Sequence, residues 1–288
     1  MGKTLYLECN SGISGDMTVG ALLDLGADAK HLEDVLSTVK AEGFQIAITR
    51  VKRAGLDCMD FDVILDEEHD GHDHDMDYLY GHLHEESHDC HTHSHEEHDD
   101  HHHDHDHDHD HGHHHHIHRG MKEITEILDS AALTDNARSI AKKIFEILAI
   151  AESKAHGVPV EEVHFHEVGA VDSIVDIISI AVCIDNLGIT EVIVPKLYEG
   201  QGTVRCQHGI LPVPVPAVTN IVQEHKIAVE IINVNGELVT PTGAAAVAAL
   251  RTSHKLPKEF VIEKVGMGSG KRDYGLSGFL RAMIINEK

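Results

Sequence analysis

Hydrophobic and polar residues alternate with two different periods along the first 65 residues. The segment 4–9 alternates residue by residue, which is typical of a strand with one buried face. The segment 17–25 repeats its apolar residues at helical spacing and is closed by Gly26, a common residue after a helix end. The same signals predict a second helix at 29–42 and two strands at 44–52 and 56–65.

The residues after position 118 continue this interleaving of helices and strands. The segment 135–156 places apolar residues such as Ile144 and Leu148 on one helical face. Further helices are predicted at 121–130, 172–187, 214–225 and 242–251, with a short helical start at 159–163. Strands are predicted at 192–198, 202–206, 227–233, 260–265 and 280–285. Interleaved strands and helices predict an α/β fold, with a mixed α+β fold as the alternative.

One internal segment breaks this pattern. Residues 66–118 contain 22 His, 18 Asp and Glu, and no Lys or Arg, and they carry 18 of the chain's 26 net negative charges. Only seven of these 53 residues are apolar, so the segment cannot bury enough surface to offset its chain entropy. The sequence therefore predicts one compact body formed by 1–65 and 119–288, interrupted by a disordered loop at 66–118.

The chemistry of this insert is more specific than its structure. Neutral imidazole binds nickel, zinc and copper ions, and neighbouring carboxylates add charge attraction. We expect the insert to gather several divalent ions weakly and exchangeably, and the alternative interpretation is a solvated spacer. The candidate ligands in its densest runs are His101, His102, His103, His113, His114, His115 and His116.

Composition argues against several other classes of protein. Binding to a phosphate backbone requires clustered basic residues, and the chain has 23 Lys and Arg against 49 Asp and Glu, so nucleic acid is not an expected partner. The sequence has neither the apolar run of a membrane span nor a signal peptide. Five scattered Cys without a CxxC pair predict no disulfide framework and a cytoplasmic location. Homo-oligomerisation is left open.

The first candidate site is the turn after the N-terminal strand. Gly12, Ser14, Gly15 and Asp16 lie at a strand-to-helix junction, where unpaired backbone N–H groups favour anions. The two glycines allow a tight turn and a close approach to a phosphate or carboxylate. Asp16 is a candidate metal ligand or proton acceptor. The alternative for the whole motif is a capped structural turn.

The second candidate site combines imidazoles with carboxylates. His164 and His166 point the same way in an extended chain, and Glu167 follows them. Asp172 and Asp176 are i,i+4 neighbours on one face of the next helix. These donor types at this spacing predict a site for a first-row metal ion. In the structural alternative Asp172 is the N-cap of the helix. Asp176 lies inside the same helix, which is otherwise apolar, and its carboxylate still requires a partner.

Two further turns carry candidate residues. His208 begins a proline-rich segment at 208–216, predicted to be a stiff loop, and it is a ligand, a proton carrier or a structural histidine. Thr240, Thr242 and Gly243 present hydroxyl and N–H groups to an anion at a helix start. The alternative is that Thr240 is a plain N-cap, followed by proline at the first helical position.

The segment 266–271 is rich in glycine but does not have the spacing of a phosphate-binding P-loop. The positions that a P-loop requires to be Gly and Ser or Thr are occupied by Val265 and Arg272. We therefore predict a flexible turn at 266–271, with Lys271 or Arg272 as candidate phosphate contacts.

Together and in this order, the motifs resemble the nickel-insertion family of nickel-pincer cofactor biosynthesis, the LarC family. The resemblance covers nearly the whole chain outside the insert, and four ordered blocks are far more specific than any one of them. The blocks are Gly12-Ile13-Ser14-Gly15-Asp16-Met17, His164-Phe165-His166-Glu167-Val168-Gly169 with Asp172 and Asp176, His208-Gly209-Ile210-Leu211-Pro212, and Glu237-Leu238-Val239-Thr240-Pro241-Thr242-Gly243.

The resemblance implies a cyclometallase that inserts Ni(II) into pyridinium-3,5-bisthiocarboxylic acid mononucleotide, with two Ni–S bonds and one Ni–C bond in the product. It also implies the use of CTP with Mn or Mg, and a product that serves lactate racemase. Family members usually continue into a C-terminal CTP-binding domain, whereas this sequence ends at Lys288. We therefore expect that portion to be a separate partner.

The expected roles follow from the chemistry of this reaction. The insert raises the local nickel concentration, the second candidate site takes one ion, and the substrate phosphate rests on one of the two glycine-containing turns. A Ni–C bond requires loss of a ring proton, which His208 or a carboxylate accepts. The rival interpretation is a nickel or zinc storage chaperone without catalysis. A metal-dependent hydrolase ranks last because a full ligand set is not evident.

Overall fold

The computed structural model describes residues 2–41, 43–65, 119–163, 165, 171–206 and 208–287. The insert at 66–118 lies outside these residues, so its predicted disorder and metal binding stay predictions. The described strands are β1 (Lys3–Glu8), β2 (Phe44–Arg53), β3 (Leu56–Leu65), β4 (Ile189–Ile193), β5 (Leu197–Gln201), β6 (Thr203–Cys206), β7 (Gly209–Pro212), β8 (Val229–Asn235), β9 (Phe260–Ser269) and β10 (Phe279–Glu287).

The described α-helices interleave with these strands. They are α1 (Gly15–Asp24), α2 (Ala29–Leu36), α3 (Met121–Ser130), α4 (Asp135–His156), α5 (Val171–Leu187), α6 (Pro216–Glu224) and α7 (Pro241–Leu250). A single turn of 3-10 helix covers Val160–Glu162, at the predicted short helical start. The predicted α/β fold is therefore confirmed.

Six strands form one mixed sheet in the order β2-β3-β9-β10-β1-β4. The pairs β1–β4 and β3–β9 are parallel, whereas the other three neighbouring pairs are antiparallel. Strands from both sides of the insert thus share one sheet. Two small units lie outside it, the parallel pair β5–β8 and the antiparallel hairpin β6–β7.

Helix α1 lies unusually close to this sheet because glycines line the contact. A Cβ at Gly266 would overlap the Ala21 carbonyl, and a Cβ at Gly268 would overlap the Met17 carbonyl. Gly20 of α1 faces the sheet, and a Cβ added at this position would lie 2.7 Å from the Met59 carbonyl oxygen. The predicted flexible turn is therefore wrong for 266–269, since these residues complete β9. Their glycines serve helix-to-sheet packing.

The remaining helices build a layer over α1. The strongly apolar α5 packs against α1 and α4, and α4 in turn contacts α6 and α7. Ile144, Phe145 and Leu148 of α4 are fully buried, which confirms the apolar face predicted for that helix. Removing these side chains from water is the main contribution to holding the layers together. No helix within the described ranges has the length and apolar character needed to cross a membrane.

Besides the longer β9, three elements differ from the prediction by more than two residues. The predicted strand at 192–198 is two strands, β4 and β5, because Pro195 lies between them and cannot donate a ladder hydrogen bond. Helix α2 ends at Leu36, before the predicted end at residue 42. Part of the predicted stiff loop, Gly209–Pro212, pairs with β6 as a hairpin, since its extended backbone can form a ladder before the prolines interrupt it.

We predict that Gly268→Ala destabilises the fold by about 3 kcal/mol, because the added methyl group must displace the backbone of α1. Gly270→Ala is the matched control. Its Cβ would meet the flexible Met17 side chain at 3.1 Å, so we expect a loss below about 1 kcal/mol. Chemical denaturation of both variants measures the difference, and equal stability losses would contradict the packing role of Gly268.

Candidate functional site

Two strand-to-helix turns meet backbone to backbone at the base of the site. The Ile13 N–H donates to the Leu238 carbonyl at 2.9 Å, and the Thr240 N–H donates to the Ile13 carbonyl at 3.1 Å. Gly12 has a φ of +86°, and a Cβ there would overlap the Leu238 carbonyl. A Cβ at Gly243 would overlap the Ile13 carbonyl. Both glycines therefore let the beginnings of α1 and α7 lie side by side.

A buried carboxylate supports this junction from behind. Oε1 of Glu199, on β5, accepts hydrogen bonds from the N–H groups of Gly200 and Leu238 at 2.7 Å each and from Val239 at 3.3 Å. The residue is fully buried, and Oε2 has no hydrogen-bond partner among the described residues. Burial raises the pKa of Glu199 to about 7, against the lowering effect of the three N–H groups.

A cavity of about 340 Å³ opens in front of the joined turns. Residues from the first turns of α1, α5, α6 and α7 line it, so the positive ends of four helix dipoles face one space. Phe61 and Val63 of β3 and Leu211 of β7 add apolar surface. A cavity with this lining suits a small organic anion with an apolar part.

Three carboxylates meet on one side of this cavity. Asp16, Asp172 and Asp176 all line it, and the Asp176 carboxyl group lies directly against the Cα of Gly15. Burial, followed by the nearby charges of Asp16 and Asp172, raises the pKa of Asp176 well above its ordinary value. Its surroundings therefore disfavour the ionised form of Asp176. A divalent cation among these groups would favour its ionised form.

Two cationic side chains also line the cavity, and each is paired with acids. Lys271 Nζ lies 3.0 Å from Asp60 and 3.1 Å from Asp62, and Arg272 Nη1 lies 2.6 Å from Glu237. Burial lowers the pKa of Arg272, but Glu237 and Tyr274 together outweigh burial, and the pKa lies above its ordinary value. For Lys271, Asp60 and Asp62 likewise outweigh burial and raise the pKa.

The structure brings most of the described candidate residues to this one cavity. Those that line it are Ser14, Gly15, Asp16, Asp172, Asp176, His208, Thr240 and Thr242, together with Lys271 and Arg272. They come from five segments that are far apart in the sequence, at 14–16, 172–176, 208, 240–242 and 271–272. His164, His166 and Glu167, and the seven candidate histidines of the insert, lie outside the described residues. Their metal-binding role stays a prediction.

Some candidates also have the structural roles considered as alternatives. Thr240 Oγ1 accepts the Gly243 N–H at 3.2 Å, so Thr240 is the N-cap of α7 with proline at the first helical position. The Gly12 N–H donates to the Cys9 carbonyl at 3.0 Å. Asp172 lies in the first turn of α5, inside the helix and past its N-cap position. The N–H groups of Gly12 and Gly243 are thus used within the protein.

Sequence reasoning missed three further residues that line the cavity. Glu152 and His156 come from the last turns of α4, and Cys206 comes from the end of β6. His156 Nε2 lies 3.4 Å from Glu152 Oε2, and its ring centre lies 4.9 Å from that of His208. No local motif marks these positions, because the cluster forms only when α4 packs beside the hairpin. Within the described ranges, no three His, Cys, Asp or Glu side chains are arranged to hold a metal ion.

The fold and the cavity define an α/β protein in which one cavity joins helix N-termini to carboxylate, imidazole and thiol groups. The chain belongs to the nickel insertion protein family, because the family model described as "Nickel insertion protein" matches residues 5–288. The family expected from the sequence motifs is thereby confirmed. No solved structure matches the chain.

Curated relatives carry a more specific name, "pyridinium-3,5-bisthiocarboxylic acid mononucleotide nickel insertion protein". The Alkaliphilus metalliredigens protein is 48% identical over 287 residues, covering 100% of this chain and 61% of the relative. The Clostridium acetobutylicum protein is 42% identical over 288 residues (99% of this chain, 64% of the relative), and the Acetivibrio thermocellus protein is 37% identical over 289 residues (99% and 61%). The chain thus spans about three fifths of the length of these relatives.

We predict that Glu199 makes the stability of the protein depend on pH. Its pKa is about 7 in the folded state against 4.5 ordinarily, so the folded state binds the proton more tightly. The resulting stabilisation is complete below about pH 4.5 and is lost as the pH rises through about 7. Glu199→Gln removes this dependence, which amounts to roughly 2 to 3 kcal/mol.

The measurement is the free energy of unfolding at pH 5 and pH 8 for the wild type, Glu199→Gln and the exposed control Glu259→Gln. We expect the wild type and the control to lose more stability between these two pH values than Glu199→Gln does. The same loss in all three proteins would show that Glu199 does not titrate in this range.

Proposed function

We propose that this chain supplies the metal- and substrate-binding body of a nickel insertase that acts on pyridinium-3,5-bisthiocarboxylic acid mononucleotide. The observation that carries the proposal is the convergence of Asp16, Asp172, Asp176 and His208 with four helix N-termini on one cavity. The family membership and the names of the relatives support the same reaction. Nickel is the substrate metal of this step.

The phosphate group of the substrate is assigned to the helix N-termini. The first turns of α1 and α7 lie side by side, and Lys271 and Arg272 line the same cavity. Aligned peptide dipoles and backbone N–H groups favour an anion at this position. Because Gly12 and Gly243 use their N–H groups within the protein, Gly15 and Thr242 are the better candidates for the backbone contact.

Nickel is assigned to the carboxylate side of the cavity. Asp172 and Asp176 of α5 lie beside Asp16, and the predicted ligands His164, His166 and Glu167 immediately precede α5 in the chain. Oxygen and imidazole donors of this kind suit a divalent first-row ion. The ion replaces the proton that burial favours on Asp176, so binding of nickel is coupled to proton release.

Formation of the Ni–C bond requires a proton acceptor. As the ring C–H bond breaks, its electron pair bonds to nickel and the proton passes to a base, while the two thiocarboxylate sulfurs form the Ni–S bonds. We assign the base role to Asp16, which lies in the first turn of α1 and lines the cavity. His208, the second candidate, lines the same cavity.

The nucleotide requirement belongs to the whole protein. The chain spans about three fifths of its relatives, so a CTP-binding portion with Mn or Mg is proposed as a partner, and no residue of this chain is assigned to it. The pincer product would then serve lactate racemase. The alternative function is nickel or zinc storage, which the 22 histidines at 66–118 favour.

The test is an insertion assay with Ni(II), the bisthiocarboxylate mononucleotide and CTP, with and without the C-terminal portion of a relative. Product is followed by absorbance and mass. We expect product from the wild type and at least about a 10-fold loss in Asp176→Asn, which cannot ionise. The exposed α2 variant Asp34→Asn is the control. Many bound nickel equivalents with no product under any condition would favour storage instead.

Deleting residues 70–116 tests the role of the insert. If the insert only gathers nickel, the deletion raises the nickel concentration needed for half-maximal insertion several-fold, because local metal supply is lost. The rate at saturating nickel stays unchanged. A variant without activity at saturating nickel, but with the thermal stability of the wild type, would place the insert in the chemistry itself.

A further inference from the structure

A second, smaller cavity shares part of its lining with the main one. It has a volume of about 80 Å³, and residues from the turn before α1 and from the loop 270–278 line it. Ser14, Asp16 and Thr240 line both cavities, so the two spaces meet at the beginnings of α1 and α7. One buried water needs about 10 to 15 Å³ of such space. The second cavity therefore has room for a group as large as a five-membered sugar ring.

A nearly buried carboxylate lines both cavities. The side chain of Glu237 is 8% exposed, and its Oε2 accepts a hydrogen bond from Arg272 Nη1 at 2.6 Å. Among the described residues, no donor reaches the other oxygen, Oε1. An ionised carboxylate has about four acceptor positions, and a buried one needs donors to replace its lost hydration. Glu237 can therefore accept further hydrogen bonds from a bound molecule.

The charges around the second cavity favour a neutral ligand. Asp16 and Glu237 are matched in number by Lys271 and Arg272, so the lining as a whole favours neither an anion nor a cation. Within the described ranges, no three His, Cys, Asp or Glu side chains are arranged to hold a metal ion. A hydroxyl group donates to a carboxylate without bringing a charge, and Asp and Glu side chains bind ribose hydroxyl groups in this way.

The remaining lining also suits a sugar ring. Met17, Leu238 and Leu276 contribute apolar surface that can contact the C–H groups of the ring. The hydroxyl oxygens of Ser11 and Ser277 lie 2.7 Å apart, and their hydrogen bond joins the turn before α1 to the loop 270–278. The two segments that form the cavity are thus held together before a ligand binds.

We propose that the second cavity is the sugar subsite of the mononucleotide, and that Glu237, held by Arg272, accepts hydrogen bonds from the vicinal hydroxyl groups of the ribose. This inference rests on the proposed function for the identity of the nucleotide. The sugar then lies beside the first turns of α1 and α7, to which the phosphate group is assigned, as a ribose 5′-phosphate requires. The pyridinium ring remains in the main cavity, which Asp172 and Asp176 line.

The experiment is a calorimetric titration of the full chain, without nickel, with pyridinium-3,5-dicarboxylic acid mononucleotide. This probe carries oxygen in place of both sulfurs, and its 2′,3′-dideoxy counterpart lacks the two hydroxyl groups. We expect the wild type to bind the ribonucleotide about 10-fold more tightly than the dideoxy compound, because hydrogen bonds to a charged group are lost.

Glu237→Gln tests the assigned acceptor. Hydrogen bonds to a neutral acceptor are about half as strong, so we expect the 10-fold ratio of the two affinities to fall to about 3-fold. The exposed control Glu259→Gln should leave the ratio unchanged. If thermal unfolding shows that Glu237→Gln is not folded, Leu276→Phe takes its place. Leu276 lines the second cavity and not the main one, so the larger side chain should displace the sugar and abolish the preference.

Three results would overturn the subsite. The first two concern the wild type alone: equal affinity for the two nucleotides, or binding of neither. The third is a ratio in the folded variant that equals the ratio in the control.

Binding is measured independently of the insertion assay. If the wild type shows a preference for ribose that depends on Glu237 but forms no product with the C-terminal portion and CTP, the sugar subsite stands and the proposed function fails. If insertion proceeds and the two nucleotides bind equally, the function stands and the subsite fails.

Discussion

Two backbone segments in direct contact hold the cavity open between them. Hydrogen bonds from Ile13 to Leu238 and from Thr240 to Ile13 join the turn before α1 to the turn before α7. Only glycine fits at Gly12 and Gly243, because a side chain at either position would overlap the facing carbonyl. Glu199 secures the second turn from behind. If this junction opened, the first turns of α1 and α7 would separate, and the cavity would lose the lining that they provide.

The cavity that results is lined by groups that suit opposite charges. The first turns of four helices line it together with Lys271 and Arg272, and so do the carboxylates of Asp16, Asp172 and Asp176. Helix N-termini and cationic side chains favour an anion, whereas carboxylate groups favour a cation. One small space therefore offers groups for both an anion and a metal cation.

Much of the fold and part of the site could be predicted from local pattern. The apolar spacing of α4 and the run of apolar residues in α5 indicated buried helices, and the interleaving of elements indicated the α/β class. The glycine-containing turns indicated the junctions that line the cavity. The prediction was wrong at 266–269. Closely spaced glycines are typical of a turn, but here they are strand residues that leave room for the backbone of α1. The prediction of one strand at 192–198 was wrong because the two ends of this segment belong to different sheets, β4 to the six-stranded sheet and β5 to the pair with β8.

The sequence by itself determined the types of most elements, the order of the motifs, the family and the histidine-rich insert, since each depends on residues close together in the chain. Tertiary structure alone decided that Glu199 is buried with a raised pKa, and that His156 and Cys206 reach the cavity beside His208. The physical reason is that burial and side-chain proximity arise from packing between residues distant in the chain: Glu199 and Leu238 are 39 residues apart, and α4 and the hairpin are separated by residues 157–202. The spacing of apolar and polar residues along one segment does not reveal such contacts.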